Sequence, residues 1–119
     1  MSAAKTAPRA TLLVIDDDVS IGEFFSELFR GHYEVSVCHT GEEGFRRYQE
    51  IAPELVLLDV RLPDLSGVDV LERIKKTSPP HPSVIMITAN RDVETAVRAM
   101  KLGAFDYLLK PFGANEELM

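Results

Sequence analysis

Cysteine is almost missing from this chain: Cys38 stands alone, so no internal disulfide can form and a reducing compartment is implied. It lies in the β-rich run Glu34-Val35-Ser36-Val37-Cys38 and reads as a small core residue. No Cys/His spacing of the zinc type occurs, and His32, His39 and His81 are scattered, which suits loop or surface positions. No apolar run reaches the length needed to cross a bilayer. Met1 to Ala10 is small and mildly basic without the apolar centre of a secretory signal. Residues 1–10 therefore read as a disordered tail, and the expected location is cytoplasmic. Basic charge is also in deficit. A net charge of −6 argues against non-specific binding to nucleic acid or to an anionic membrane. No glycine-rich loop ends in Lys-Ser or Lys-Thr, which removes P-loop nucleotide binding. No hydroxyl-rich loop follows the first apolar run, which removes a flavin-phosphate site.

What remains is ordinary material for one soluble domain. The 119 residues are 45% hydrophobic, and a chain of this size buries about two-thirds of its unfolded surface without disulfides or a structural metal. Residues 11–119 read as a single domain with no linker. Apolar runs alternate with helical periods five times. Thr11 to Ile15 is a nearly unbroken apolar run, as in a strand buried on both faces. Ile21, Phe24, Phe25, Leu28 and Phe29 recur at helical spacing, with Asp18 as N-cap and Gly31 as stop. A strand near Val35 to Cys38 follows, then Thr40 and Glu43 in a capping-box pattern, and Pro53 marks the end of that helix. Leu55 to Leu58 is a third strand ending at Asp59, and a loop with Pro63 and Gly67 leads to a helix with Val68, Leu71 and Ile74 inward. Thr77 to Pro82 is a turn. Val84 to Ile87 ends at Thr88; Val93, Ala96, Val97 and Met100 form an inner helical stripe closed by Gly103; Phe105 to Leu109 precedes Lys110-Pro111. Asn115 to Met119 resembles the first turn of a fifth helix cut short. This alternation predicts an α/β fold: a doubly wound parallel sheet with right-handed crossovers.

In such sheets ligands sit beyond the carboxyl ends of the strands. The first strand brings Asp16, Asp17 and Asp18 there, the third Asp59, the fourth Thr88 and the fifth Lys110. Crowded carboxylates raise one another's pKa, and a hard divalent cation relieves that repulsion. Mg²⁺ takes oxygen ligands and serves phosphate chemistry with one or two carboxylates. A lysine balances the remaining charge, and a hydroxyl offers a donor to a phosphoryl oxygen. These are the parts needed to transfer a phosphoryl group to a carboxylate. Singly, each has a duller reading: an N-cap, a strand-ending aspartate, a surface lysine, a β-branched strand residue. It is their occurrence together, in strand order, that is informative.

Four stretches now carry a family resemblance: Leu13-Val14-Ile15-Asp16-Asp17-Asp18, Leu57-Leu58-Asp59-Val60-Arg61-Leu62-Pro63, Met86-Ile87-Thr88-Ala89 and Tyr107-Leu108-Leu109-Lys110-Pro111-Phe112. From Leu12 to Phe112 the chain resembles the receiver domain of response regulators of two-component systems. The resemblance implies a flavodoxin-like five-stranded sheet of order 2-1-3-4-5, with phosphorylation on Asp59 by a sensor histidine kinase. It implies Mg²⁺, or Mn²⁺ in its place, held by Asp17, Asp16, Asp59 and the Arg61 carbonyl. Thr88 and Lys110 would contact the phosphoryl group, and Thr88 and Tyr107 would form the switch. The Lys110–Pro111 peptide would be cis. Such a domain is not a conventional enzyme, although it catalyses its own phosphorylation and dephosphorylation, and Arg61 and Asn90 would flank the path of the hydrolytic water. The α4-β5-α5 face would change affinity for partners, including a second copy. The stretch Gly103 to Phe112 looks most like nitrogen-regulatory receivers, in which an ATPase acting with sigma-54 and a DNA-binding domain follow. Two alternatives stay open: a phosphatase of the haloacid dehalogenase type using Asp16 and Asp18, which would leave Asp59 idle, and a receiver-like module that is never phosphorylated.

Overall fold

The computed structural model describes residues 9–110, without the Asn90 side chain. Its elements are β1 (Ala10–Ile15), α1 (Val19–Phe29), β2 (Tyr33–Cys38), α2 (Gly41–Ile51), β3 (Leu55–Asp59), α3 (Gly67–Lys75), β4 (Ser83–Thr88), a 3-10 turn (Asn90–Asp92), α4 (Val93–Lys101) and β5 (Asp106–Leu109). The strands pair in parallel in the order β2-β1-β3-β4-β5. This is the expected doubly wound, flavodoxin-like sheet. β1 begins at Ala10, one residue earlier than the apolar run suggests, because Ala10 pairs with Tyr33. The fifth helix and the Lys110–Pro111 peptide fall outside the described residues.

Alternation within the strands divides the core in two. Leu13, Ile15, Val56, Leu58, Val84 and Met86 point to one face, where Tyr48 of α2, Leu71 and Ile74 of α3 and Ala96 and Ala99 of α4 cover them. Leu12, Val14, Leu57 and Ile87 point to the other, against Ile21 and Phe25 of α1. β1 is sealed from both sides, which explains its unbroken apolar run. Each such leucine or isoleucine contributes about 1.5–3 kcal/mol by leaving water.

The caps follow the residue chemistry. Asp18 accepts from Ser20 N at 2.9 Å, Thr40 from Glu43 N at 3.1 Å and Ser66 from Val68 N at 3.0 Å, each satisfying an orphan amide of the first turn. The capping box closes with a shift: Glu43 Oε1 accepts from His39 N, one residue before the cap.

Two expectations need correction. Val97 is 43% exposed; the buried stripe of α4 runs through Ala96 and Ala99, small residues that let the helix sit close to β4. Phe105 precedes β5 rather than opening it and is 69% exposed, although its amide donates to Val84 O. Among the described residues Leu108 and Leu109 of β5 are exposed as well.

Candidate functional site

Three consecutive aspartates leave β1 and take three different roles, because successive residues point in different directions as the strand ends. Asp16 turns inward and is fully buried; its amide donates to Cys38 O and its Oδ1 accepts from Asp18 N at 2.9 Å. Asp17 is exposed at the mouth of the cleft. Asp18 faces away and caps α1, also accepting from Ser20 Oγ at 2.6 Å. A phosphatase would have to bring Asp16 and Asp18 to bear on one substrate, so this divergence disfavours it.

Asp59 ends β3 and is 5% exposed. Its Oδ1 accepts from Arg61 N at 3.3 Å, and its Oδ2 faces Lys110 Nζ at 3.5 Å. Lys110 is set by its own backbone, whose amide donates to Thr88 O at 2.8 Å. Its Nζ also lies 3.1 Å from Asp16 Oδ2. Oxygens of Asp16, Asp17 and Asp59 all lie within 4.8 Å of one another. The predicted acidic cluster and its lysine are thus together.

The electrostatics are those of too much negative charge in too little water. Burial, then the Asp16 carboxylate, push the Asp59 carboxyl up to about 7, with Lys110 pulling the other way. Burial alone would lower the Lys110 ammonium, but Asp59 and Asp16 outweigh it and hold it above the usual lysine value. Asp16 Oδ2 is buried and ion-paired with Lys110 Nζ at 3.1 Å, but accepts no well-aligned hydrogen bond among the described residues. A buried carboxylate with one lysine to balance it, beside two more carboxylates, suits a hard cation that takes oxygen ligands.

A cleft of about 290 Å³ opens over this cluster, lined by Asp17, Asp59, Arg61, Ala89, Asp92 and Lys110 among others. Thr88 sits where β4 ends but is fully buried, and its hydroxyl donates to Ala89 O at 3.0 Å rather than into the cleft. Tyr107 is half-buried against the core on the side of α2, α3 and α4.

Sequence reasoning missed three residues that shape the site. Gly67 is not a loop residue but the first of α3, and a Cβ there would collide with the Asp59 carbonyl oxygen. Its amide donates to Val60 O at 2.7 Å, so the helix starts directly behind Asp59. Asp64 reaches across to α2, accepting from Gly41 N at 2.7 Å and Glu42 N at 3.0 Å. Asp92 is buried and accepts from Arg61 Nε at 2.8 Å. Its position before a helical run hints at a cap; nothing in the sequence pairs it with Arg61.

Comparison with known proteins agrees with this geometry. The family model described as the response regulator receiver domain matches residues 12–119. The chain is 43% identical over 107 residues to the transcriptional regulatory protein ZraR of Escherichia coli (strain K12), covering 89% of this chain and 24% of that protein. It is 36% identical over 109 residues to the DNA-binding response regulator MtrA of Mycolicibacterium paratuberculosis, covering 91% of this chain and 48% of that one. It therefore spans about a quarter of the first relative and about half of the second. The crystal structure of the receiver domain of NtrX from Brucella abortus superposes with a TM-score of 0.78 at 34% identity, covering 90% of this chain and 91% of that one. The chain belongs to the response regulator receiver domain family.

Proposed function

We propose that this chain is the phosphoacceptor module of a two-component response regulator, in which Asp59 takes a phosphoryl group from the phosphohistidine of a sensor histidine kinase. An Asp59 oxygen forms a bond to phosphorus as the donor's P–N bond breaks, and the imidazole nitrogen leaves with the electron pair. Bound Mg²⁺, or Mn²⁺, neutralises phosphoryl and carboxylate charge. Asp16, Asp17, Asp59 and the Arg61 carbonyl would hold it. The observation that carries this reading is the Asp59 carboxylate, nearly buried with Asp16 and Asp17 within 4.8 Å and Lys110 at 3.5 Å. A carboxylate so placed is short of positive charge, and a cation keeps it deprotonated and able to attack.

Lys110 orients one Asp59 oxygen and balances the charge of the transferred group. Thr88 supplies the donor that follows the phosphoryl oxygen, by exchanging its bond to Ala89 O for one in the cleft. Tyr107 then turns into the space behind it, so that two states of the domain differ in their contacts to the phosphoryl group. The surface that changes is that of α4 and β5, extended by a fifth helix. Its exposed Val97, Leu102 and Phe105 suit a second copy of the domain. The domain acts on itself and is not a conventional enzyme.

The output is transcriptional, through a C-terminal segment. An ATPase acting with sigma-54 and a DNA-binding domain is the arrangement we favour, given the resemblance of Gly103 to Phe112 to nitrogen-regulatory receivers and the similarity to ZraR and NtrX. No helix of the described residues is long and apolar enough to cross a membrane, which is consistent with a cytoplasmic regulator. The test is beryllofluoride with Mg²⁺, a non-covalent stand-in for the phosphoryl group. Shifts of the Thr88 and Tyr107 NMR signals support the reading, and an unchanged spectrum contradicts it.

A further inference from the structure

Asp92 is the N-cap residue of α4, yet its side chain makes no capping bond, whereas Asp18, Thr40 and Ser66 each cap their own helices. Its carboxylate, 10% exposed, is turned to Arg61 Nε at 2.8 Å, with Arg91 Nε at 3.7 Å. Arg61 lies on the loop after β3, two residues beyond Asp59, and its side chain is 63% exposed. The pair therefore spans the cleft, tying the loop of the phosphoacceptor to the start of the helix expected to move.

A second connection runs through the backbone. The Ala89 carbonyl oxygen accepts from Thr88 Oγ1 at 3.0 Å and from Asp92 N at 2.9 Å. Asp92 is thus joined to Arg61 by its side chain and to Thr88 through one shared acceptor. Any movement of Thr88 into the cleft breaks one of the two bonds at that oxygen.

On the phosphoacceptor reading given above, we propose that Asp92 is a positioning residue that holds the unphosphorylated state by clamping Arg61 across the cleft, and that charge on Asp59 releases the clamp and frees the carboxylate to cap α4. A phosphoryl group adds up to about two negative charges and three acceptor oxygens beside Arg61, and guanidinium prefers bidentate contact with phosphate. The released carboxylate keeps Arg91 Nε at 3.7 Å but loses the Arg61 donor. Backbone amides in the first turn of α4 are the nearest donors by sequence, and an aspartate at the N-cap suits them. The same side chain thereby favours one state through Arg61 and the other through the helix.

The experiment uses the full chain, acetyl phosphate and Mg²⁺, with phosphoryl uptake followed by intact mass for wild type, Asp92→Asn, Asp92→Glu, Arg61→Gln and the double variant Asp92→Asn/Arg61→Gln. Loss of a partly exposed ion pair shifts a two-state balance modestly, so uptake by Asp92→Asn should rise about three- to fivefold. Asp92→Glu, which keeps the charge, should return toward wild type, and Asp92→Asn should have no further effect in the Arg61→Gln background. In the wild type, beryllofluoride should slow hydrogen exchange of the Glu94 and Thr95 amides, the two that an N-cap side chain reaches. A purely structural pair moves melting temperature but neither the uptake rate nor that protection. Uptake unchanged in Asp92→Asn, an equal rise in both backgrounds, or exchange that quickens with beryllofluoride overturns the proposal. A wild type that takes no phosphoryl group overturns the phosphoacceptor reading, and this inference with it.

Discussion

At the amino ends of the strands lies a cavity of about 570 Å³, lined by Tyr48, Pro53, Thr77, His81 and Pro82 among others; at the carboxyl ends lies the cleft of about 290 Å³ over Asp59. The larger space is chemically quiet. Tyr48 Oη bonds Thr77 Oγ1 at 2.7 Å, Thr77 Oγ1 donates to Ile74 O at 2.6 Å, and His81 Nε2 meets Thr77 O at 2.7 Å. Hydrogen-bonded groups of this kind add stability and specify packing. Beneath the smaller space Asp16, Asp17 and Asp59 crowd together with one lysine against their three carboxylates. Both ends belong to the same five strands. Unresolved charge, not volume, marks the working end.

The largest expected effect is at Asp59. Asp59→Asn should reduce labelling by acetyl phosphate and Mg²⁺ to background while far-ultraviolet circular dichroism stays native, because the amide cannot attack phosphorus.

The second effect concerns stability against pH in metal-free buffer. Asp59 titrates at about 7 in the folded chain against 3.8 as a free carboxyl. Between those values the folded state holds more protons than the unfolded state, so its stability falls as pH rises from about 4 to 7. Asp59→Asn removes that loss. It should melt higher than wild type at neutral pH, by a stability difference on the order of 2 kcal/mol that vanishes near pH 4. Added Mg²⁺ should stabilise the wild type more than the variant. Melts recorded across that range with a chelator, then with Mg²⁺, check both signs.

Third, Asp17→Ala should weaken Mg²⁺ binding by about tenfold. Asp16→Ala should weaken it less, since Asp16 already shares its charge with Lys110. Calorimetric titration of the two variants gives the order. The smallest effect lies at the other end of the sheet. Tyr48→Phe should cost about 1 kcal/mol by leaving Thr77 short of a donor, and it should leave phosphoryl uptake unchanged. If uptake fell with it, the two ends would not be separable.

The sheet and its acidic tip were legible because both rest on local rules. An unbroken apolar run means a strand buried twice, and β1 is one; a polar residue ending such a run lands at the sheet edge, as Asp16 and Asp59 do. Asp18 as a cap followed from its place before a helical period. Features that depend on meetings across the chain were not legible. Asp92 and Arg61 are 31 residues apart, and Asp64 and Gly41 are 23 apart; no periodicity joins them. The need for glycine at position 67 arises only once α3 starts against the Asp59 carbonyl. Val97 falls outside the buried stripe of α4 because close helix–sheet approach selects the smaller Ala96 and Ala99.

The most direct measurement is peptide mapping by mass spectrometry of the wild-type chain after acetyl phosphate, once with Mg²⁺ and once with a chelator. The expected result is a Mg²⁺-dependent phosphoryl group on the peptide containing Asp59. Label on Asp16, label that persists without the cation, or no label at all would contradict it.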